Sequence, residues 1–157
     1  MKRIDAVRKI MENITDELVI TSTGKISREA YNVKDRDANF YVMGSMGASL
    51  GIGIGLALHT DKNVHVIAGD GDILMSLSTL VLMNKIKLPN LKLTILDNNC
   101  FEGTGGQKTV SDAVDFTKIC LYNCEVIKVD STPSKIPRID LSHKEIMERF
   151  YNEVNKK

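Results

Sequence analysis

The chain has few cysteines, and they are badly spaced for the usual cysteine chemistry. Cys100, Cys120 and Cys124 are an odd set with no Cys-x-x-Cys pair. That argues against a disulfide framework, a zinc ribbon or an iron–sulfur cluster, and Cys120 and Cys124 read as buried thiols. Three histidines are too few to make a zinc site by themselves. Neither sign of charge is in excess, with 21 Lys and Arg against 20 Asp and Glu, so nothing points to a nucleic-acid or anionic-membrane surface. The longest apolar run, residues 48–58, falls well short of the roughly 20 residues that span a bilayer, and glycine interrupts it. The opening MKRIDAVRKIMENI spaces Ile4, Val7, Ile10 and Ile14 as one stripe of an amphipathic helix among charges, unlike a signal peptide. A cytoplasmic protein is expected. Internal repeats and low-complexity tracts are absent, and so are a Walker-type Gly-Lys-Ser and a Gly-x-Gly-x-x-Gly after the first strand.

What is present suits one domain: 157 residues, 43% of them hydrophobic, enough for a core of its own. Residues 18–23 (LVITST) predict a strand ending at Gly24, and a helix starts with Ser27 as its N-cap. Residues 32–39 read as a polar loop and residues 40–43 as a short strand. Residues 47–59 then repeat small side chains, among them Gly47, Gly51, Gly53 and Gly55. Each glycine inside a helix costs about 0.5–1 kcal/mol relative to alanine. Close approach of a backbone, cofactor or partner subunit would account for them, and so would tight packing on the helix's own sheet. A strand over residues 64–68 precedes a helix marked by Ile73, Leu77, Leu80, Val81 and Asn84. Residues 91–96 predict the next strand, residues 110–122 a helix and residues 125–130 a further strand. Residues 131–137 form a loop with two of the three prolines. Ser142 and Glu145 make a capping box, with Ile146, Phe150 and Val154 following at helical spacing. The alternation predicts an α/β fold, three layers α/β/α around a mainly parallel sheet.

The chemistry concentrates in residues 64–109. One apolar run ends in Gly69-Asp70-Gly71 and the next in Asp97-Asn98-Asn99, with Asp70 and Asn98 28 positions apart, about one strand–helix–strand repeat. Neighbouring parallel strands would set both motifs side by side in the crevice where such sheets bind ligands. The glycines allow a sharp turn and expose N–H groups, but a diphosphate carries too much charge for those alone. Mg²⁺ resolves this, because it takes hard oxygen ligands and binds between carboxylate and phosphates. Asp70 would give a carboxylate, Asn98 an amide oxygen and Cys100 its main-chain carbonyl. The glycine-rich stretch Glu102, Gly103, Thr104, Gly105, Gly106 and Gln107 offers N–H groups that suit an anionic substrate tail, and Lys108 and Arg28 read equally as cations for it or as solvated surface charges.

Gly69-Asp70-Gly71, 26 intervening residues and Asn98-Asn99 resemble the cofactor signature of thiamine-diphosphate enzymes. Gly44-Ser45-Met46-Gly47 resembles the segment in which they cradle the aminopyrimidine ring. The resemblance implies that the Gly44 carbonyl accepts from the ring amino group, that Met46 bends the cofactor as an apolar wedge, and that Gly24, Ser45, Gly69, Gly71, Asp72 and Phe101 join in holding it. Thr23-Gly24-Lys25-Ile26-Ser27-Arg28-Glu29 and Thr104-Gly105-Gly106-Gln107 are similar to the pattern of the 2-oxo acid decarboxylases of sulfopyruvate and phosphonopyruvate. The length is similar to that of the separate β subunit in the sulfopyruvate branch. Three positions depart from the pattern. Asp72 stands where a small residue is frequent, Asn99 where glycine is, and Gly103 where serine is.

The resemblance implies a diphosphate-binding half, residues 1–157, of an enzyme that uses thiamine diphosphate and Mg²⁺. A pyrimidine-binding α subunit of similar size would carry the activating glutamate, with the cofactor across the interface. The expected reaction converts sulfopyruvate to sulfoacetaldehyde and CO2. Phosphonopyruvate decarboxylation and acetolactate-type carboligation are alternatives within the enzymes, and a non-catalytic assembly subunit is the alternative outside them.

Overall fold

Strands buried on both faces read as near-continuous apolar runs, and these runs form the centre of the structure. The computed structural model describes residues 1–156. In chain order the elements are α1 (Arg3–Asn13), β1 (Leu18–Thr21), α2 (Lys25–Val33), β2 (Asn39–Tyr41), α3 (Ser49–Ala57), β3 (Val64–Gly69), α4 (Asp70–Met75), α5 (Leu77–Ile86) and β4 (Leu91–Asp97). A small antiparallel hairpin of β5 (Cys100–Phe101) and β6 (Gln107–Lys108) follows, then α6 (Phe116–Ile119), β7 (Cys124–Lys128) and α7 (His143–Asn155).

The five larger strands make one sheet in the order β2-β1-β3-β4-β7, and every pairing is parallel. Alternate residues divide between two cores. Leu18, Ile20, Val66, Leu93 and Ile95 face α3 and α5, with Leu50, Ile54, Leu80 and Met83 packed against them. Val19, Ile67 and Leu96 face the other side, under Val7 and Met11 of α1 and Ile26 and Ala30 of α2. The architecture is the three-layer α/β/α fold with a parallel sheet that the alternation predicts. Among the described residues no helix is long and apolar enough to cross a membrane.

Several local expectations are corrected. Helix α2 starts two residues before Ser27, with Gly24 at its N-cap in the left-handed region at φ 91°. Ser27 lies inside the helix and donates to the Ser22 carbonyl at 2.7 Å, so its hydroxyl ties α2 to the end of β1. The same helix runs on to Val33, into the expected loop. The helix after β3 is broken at Ser76, which leaves helical geometry at φ −136°, and Val81 points outward. Residues 110–122 give only a short 3-10 turn, Ser111–Ala113, and the single turn of α6. Cys120 and Cys124 are not separate buried thiols. They are joined as a disulfide across the α6–β7 turn, with Cα atoms 5.4 Å apart, a separation that permits the bond. A helix end followed by a tight turn brings i and i+4 together, which the search for Cys-x-x-Cys does not detect.

The glycines of α3 separate into two kinds. A Cβ on Gly53 would lie 2.3 Å from Val66 Cγ2 on the sheet, whereas one on Gly51 or Gly55 would meet nothing within 4 Å. Packing on the helix's own sheet thus explains Gly53, and the other two lie on an exposed face. Gly53→Ala should lower stability by about 1–3 kcal/mol through overpacking. Gly51→Ala should raise it by about 0.5–1 kcal/mol through helix propensity. Denaturant unfolding measures both, and equal effects at the two positions would contradict the packing account.

One buried histidine makes stability depend on pH. His65 on β3 meets Thr94 Oγ1 on β4 at 2.9 Å. Burial first, and then the charge of Lys92, push its pKa down from 6.5 to about 4. The folded chain therefore holds His65 neutral. Above about pH 6.5 neither state carries the proton. As pH falls from there toward 4 the unfolded chain takes it up first, so stability drops, and below 4 the contribution is flat. The full loss is about 3 kcal/mol. Between pH 7 and pH 4.5 the wild-type unfolding free energy should fall by about 2–3 kcal/mol more than that of His65→Gln. Parallel losses would refute the assignment.

Candidate active site

The direction of strand addition reverses at β1. β2 joins on one side of it, and β3, β4 and β7 follow on the other. Loops leaving such a switch point diverge and open a crevice at the carboxyl ends of the strands. A cavity of about 460 Å³ lies there. Ser22, Thr23 and Gly24 line it from the end of β1, Gly69, Asp70 and Gly71 from the end of β3, and Asn98 and Cys100 from beyond β4. Register puts Gly69 opposite Leu96, so Asp70 and the Asn98 loop leave the sheet together.

Asp70 is buried and accepts from Thr109 Oγ1 at 2.5 Å, while the main-chain N–H groups of Asn98 and Gly71 face its carboxylate. Burial, reinforced by the charge of Asp97, holds its pKa above the usual carboxylate range, and the Thr109 bond opposes this. A cation at that carboxylate would relieve the cost of its charge. Asn98 Oδ1 accepts from the Cys100 N–H at 3.2 Å, and Asn99 takes the left-handed backbone at φ 53°, a conformation asparagine tolerates. Among the described residues no three or more His, Cys, Asp or Glu form a metal cluster. One carboxylate, one amide oxygen and one main-chain carbonyl are nevertheless a hard-oxygen set of the kind Mg²⁺ takes when phosphates and water complete its shell. Thr109 is absent from the candidate residues read from sequence. A threonine 39 positions from its carboxylate leaves no spacing signal.

Two side chains meet over Gly71. A Cβ there would stand 2.5 Å from Phe101 Cε1 and 3.0 Å from Met46 Cε, so only glycine lets Phe101 and Met46 close on the turn. Asp72, the acid out of place in the family pattern, turns into the protein. Gly47 N–H donates to its Oδ1 at 2.8 Å and Ser49 Oγ to its Oδ2. It thus secures the turn that enters α3. Burial raises its pKa, and the bonds from Ser49 and Gly47 work against that rise. Gly44 N–H donates to Thr23 Oγ1 at 3.2 Å, which ties the segment carrying Met46 to the end of β1.

The anion-binding candidates divide: Arg28, Glu102 and Thr104 line the cavity, whereas Gly105, Gly106, Gln107 and Lys108 are outside its lining, as are Gly44 and Ser45 of the ring-end candidates. Lys108 pairs across the β5–β6 hairpin with Cys100 and is exposed. Glu102 is already neutralised, since Arg3 Nη1 stands 2.5 Å from its Oε2. Burial alone would raise the Glu102 pKa, but Arg3 and the Ser134 N–H more than reverse it. The Cys100 thiol is pushed up by burial and by the charges of Glu102 and Asp70, so it stays protonated. Arg3 and Lys25 also line the cavity without having been singled out in the sequence. For Arg3 a signal existed, because it lies on the same helical stripe as Val7, Met11 and Ile14.

Residues 22–132 match the family described as thiamine pyrophosphate enzyme, C-terminal TPP binding domain. The chain is 37% identical to the sulfopyruvate decarboxylase subunit beta of Methanothermobacter thermautotrophicus, over 98% of this chain and 96% of that one. It is 47% identical to the corresponding subunit of Methanocaldococcus jannaschii, over 69% of this chain and 58% of that one. Phosphonopyruvate decarboxylase of Streptomyces viridochromogenes is 42% identical over 74% of this chain, which spans 30% of that protein. With the switch-point cavity and its oxygen donors in view, these matches give one answer: the chain belongs to the thiamine pyrophosphate enzymes, in the family of the sulfopyruvate decarboxylase beta subunits.

Proposed function

We propose that this chain is the diphosphate-binding half of a decarboxylase that converts sulfopyruvate to sulfoacetaldehyde and CO2, with thiamine diphosphate held between it and a pyrimidine-binding α subunit. The observation that carries the proposal is the convergence of Asp70 and Asn98, from adjacent parallel strands, on one cavity. Asp70, Asn98 and the Cys100 carbonyl would hold Mg²⁺, with the Thr109 hydroxyl fixing one oxygen of Asp70. Thiamine diphosphate, when bound, supplies the electron sink for the pair left as CO2 departs. This chain's residues bind, orient and exclude water. Gly69 and Gly71 let the diphosphate end approach the backbone. Met46 and Phe101 close an apolar wall over Gly71, which would limit water at that side of the cavity once a partner covers Met46. Gly24, Gly44 and Ser45 complete the approach of the ring end.

Arg28 is the cavity cation best suited to the substrate's anionic tail, since Arg3 is engaged by Glu29 and Glu102 and Lys25 by the Ser134 carbonyl. The glycine-rich hairpin from Gly105 to Lys108 would reach the substrate by moving inward. Match over nearly the full length of a sulfopyruvate decarboxylase beta subunit supports a two-subunit arrangement. Met46 and Met75 line the cavity and are exposed, as is Met43 nearby in the chain, and they would give the α subunit an apolar rim to cover.

The test is to co-express the chain with its α subunit, titrate thiamine diphosphate and Mg²⁺, and assay aldehyde and CO2 from sulfopyruvate, phosphonopyruvate and pyruvate. Cofactor-dependent turnover with sulfopyruvate preferred is the expected outcome. Absence of cofactor binding would support a pure assembly role instead.

A further inference from the structure

Arg3 is the most completely enclosed cation at the cavity, only 7% exposed. Its guanidinium meets two carboxylates from different parts of the chain. Glu29 of α2, fully buried, accepts from Nε at 2.9 Å and from Nη2 at 2.8 Å. Glu102, directly after β5, faces Nη1 at 2.5 Å as an ion pair whose alignment is not that of a hydrogen bond. The second oxygen of Glu102 accepts from Ser134 N–H at 2.9 Å, and the Ser134 carbonyl accepts from Lys25 Nζ at 2.7 Å. The first residues of the chain are themselves fixed, because Asp130 N–H donates to the Met1 carbonyl at 2.9 Å and Lys2 bridges to Asp130. Arg3 thus joins α1, α2, the segment after Cys100 and the 131–137 segment at one point on the cavity wall.

A buried ion-pair cluster is a poor source of net stability, because desolvation offsets most of the attraction. What it does supply is a fixed geometry. Glu102 is two residues beyond Cys100, and one end of that short stretch is held by Asn98 while the other is held by Arg3. We infer that Arg3 is a positioning residue: by clamping Glu102 against Glu29 it fixes the orientation of the Cys100 carbonyl and so the affinity of the site for Mg²⁺ and diphosphate. Arg3 contacts neither group in this role, and the assignment rests on the metal site proposed above. A lysine cannot substitute, because a single ammonium lacks the planar fork that serves Glu29 through two nitrogens and Glu102 through a third.

The experiment uses the chain assembled with its α subunit and follows thiamine diphosphate binding by calorimetry at a series of Mg²⁺ concentrations. Arg3→Lys and Glu102→Gln should each raise the Mg²⁺ concentration for half-maximal cofactor binding by about 10- to 100-fold, the range seen when support of a metal ligand is lost. Excess Mg²⁺ should restore binding, and kcat should then recover. Ile146→Val is the control for a merely destabilising change: it should lower the melting temperature and leave the Mg²⁺ midpoint unmoved. Glu102→Gln keeps side-chain size and the Arg3–Glu29 pair, so it reports even if the Arg3 variant folds poorly. Wild-type Mg²⁺ midpoints in both variants, alongside loss of binding in Asp70→Ala, would overturn the role of Arg3. Retained binding in Asp70→Ala would overturn the metal site itself.

Discussion

Asp70→Ala should lose Mg²⁺-dependent binding of thiamine diphosphate, by 100-fold or more at fixed Mg²⁺ (on the order of 3 kcal/mol), while the free chain keeps its fold. The loss is large because Asp70 is the only carboxylate in the proposed donor set. Without it, one amide and one main-chain oxygen would have to hold a strongly hydrated dication beside a diphosphate. The fold is expected to survive for a reason visible in the pKa. Burial and the charge of Asp97 hold the Asp70 pKa up, so the ionised carboxylate is a burden on the folded chain near neutral pH. That contribution has a definite sign. Asp70 destabilises the fold above its folded-state pKa, and the penalty fades as pH falls and the group protonates in both states. Removing it should therefore leave the melting temperature of the free chain equal or higher at pH 7. Thr109 loses an acceptor but keeps Asn99 Oδ1 within 3.1 Å. Calorimetric titration with the assembled enzyme and thermal unfolding of the free chain measure the two halves. Full cofactor affinity in the variant would sink the site, and a collapse of the free chain would show that Asp70 is structural. A stable but non-binding variant is the pattern of a residue kept for function at the expense of stability.

The parts of the fold legible in the sequence are those where one local signal decides. Parallel strands buried on both faces must be apolar throughout, so β1, β3 and β4 could be read from their runs. The Ser142–Glu145 capping box, seen in the structure with both of its bonds, is set by four consecutive residues. Local signals mislead where tertiary contacts decide. Ser27 has the chemistry of an N-cap, but its hydroxyl is claimed by the Ser22 carbonyl and Gly24 takes the cap. Residues 110–122 carry apolar side chains at near-helical intervals, yet Thr109 and Ser111 are drawn to Asp70 and Asp97, which holds the start of the segment in a non-helical turn. The cavity has the same division. Asp70 and Asn98 announce themselves because each ends an apolar strand. Thr109, Arg3 and Lys25 act from elsewhere in the chain, and only the fold brings them near. Arg3 was the most accessible of these, as a cation on a stripe that otherwise faces the core.

The second large effect concerns the chain alone. Without the proposed α subunit it should show no turnover of sulfopyruvate above buffer with cofactor and Mg²⁺ present, and mixing the two should raise the rate by on the order of 10³ or more, the scale attributed to positioned acid–base groups and orientation together. The geometry explains why. The residues lining the cavity from this chain are suited to the diphosphate end and the substrate tail. Two of the carboxyl groups there are committed, Asp72 to Gly47 and Ser49 and Glu102 to Arg3, and Asp70 is the one assigned to the proposed metal. The Cys100 thiol is held protonated by burial and its acidic neighbours. None is left to activate the ring end of the cofactor, proposed to lie at Met46, which is 38% exposed, with Met43 and Met75 still more open. Apolar side chains around a polar cleft are costly in water and suit a covering surface. A stepwise mixing series, assaying aldehyde release against the ratio of the two chains, should show activity rising to saturation at a fixed stoichiometry. Turnover by this chain alone at a rate close to that of the mixture would place the activating group among its own residues and overturn the two-subunit site.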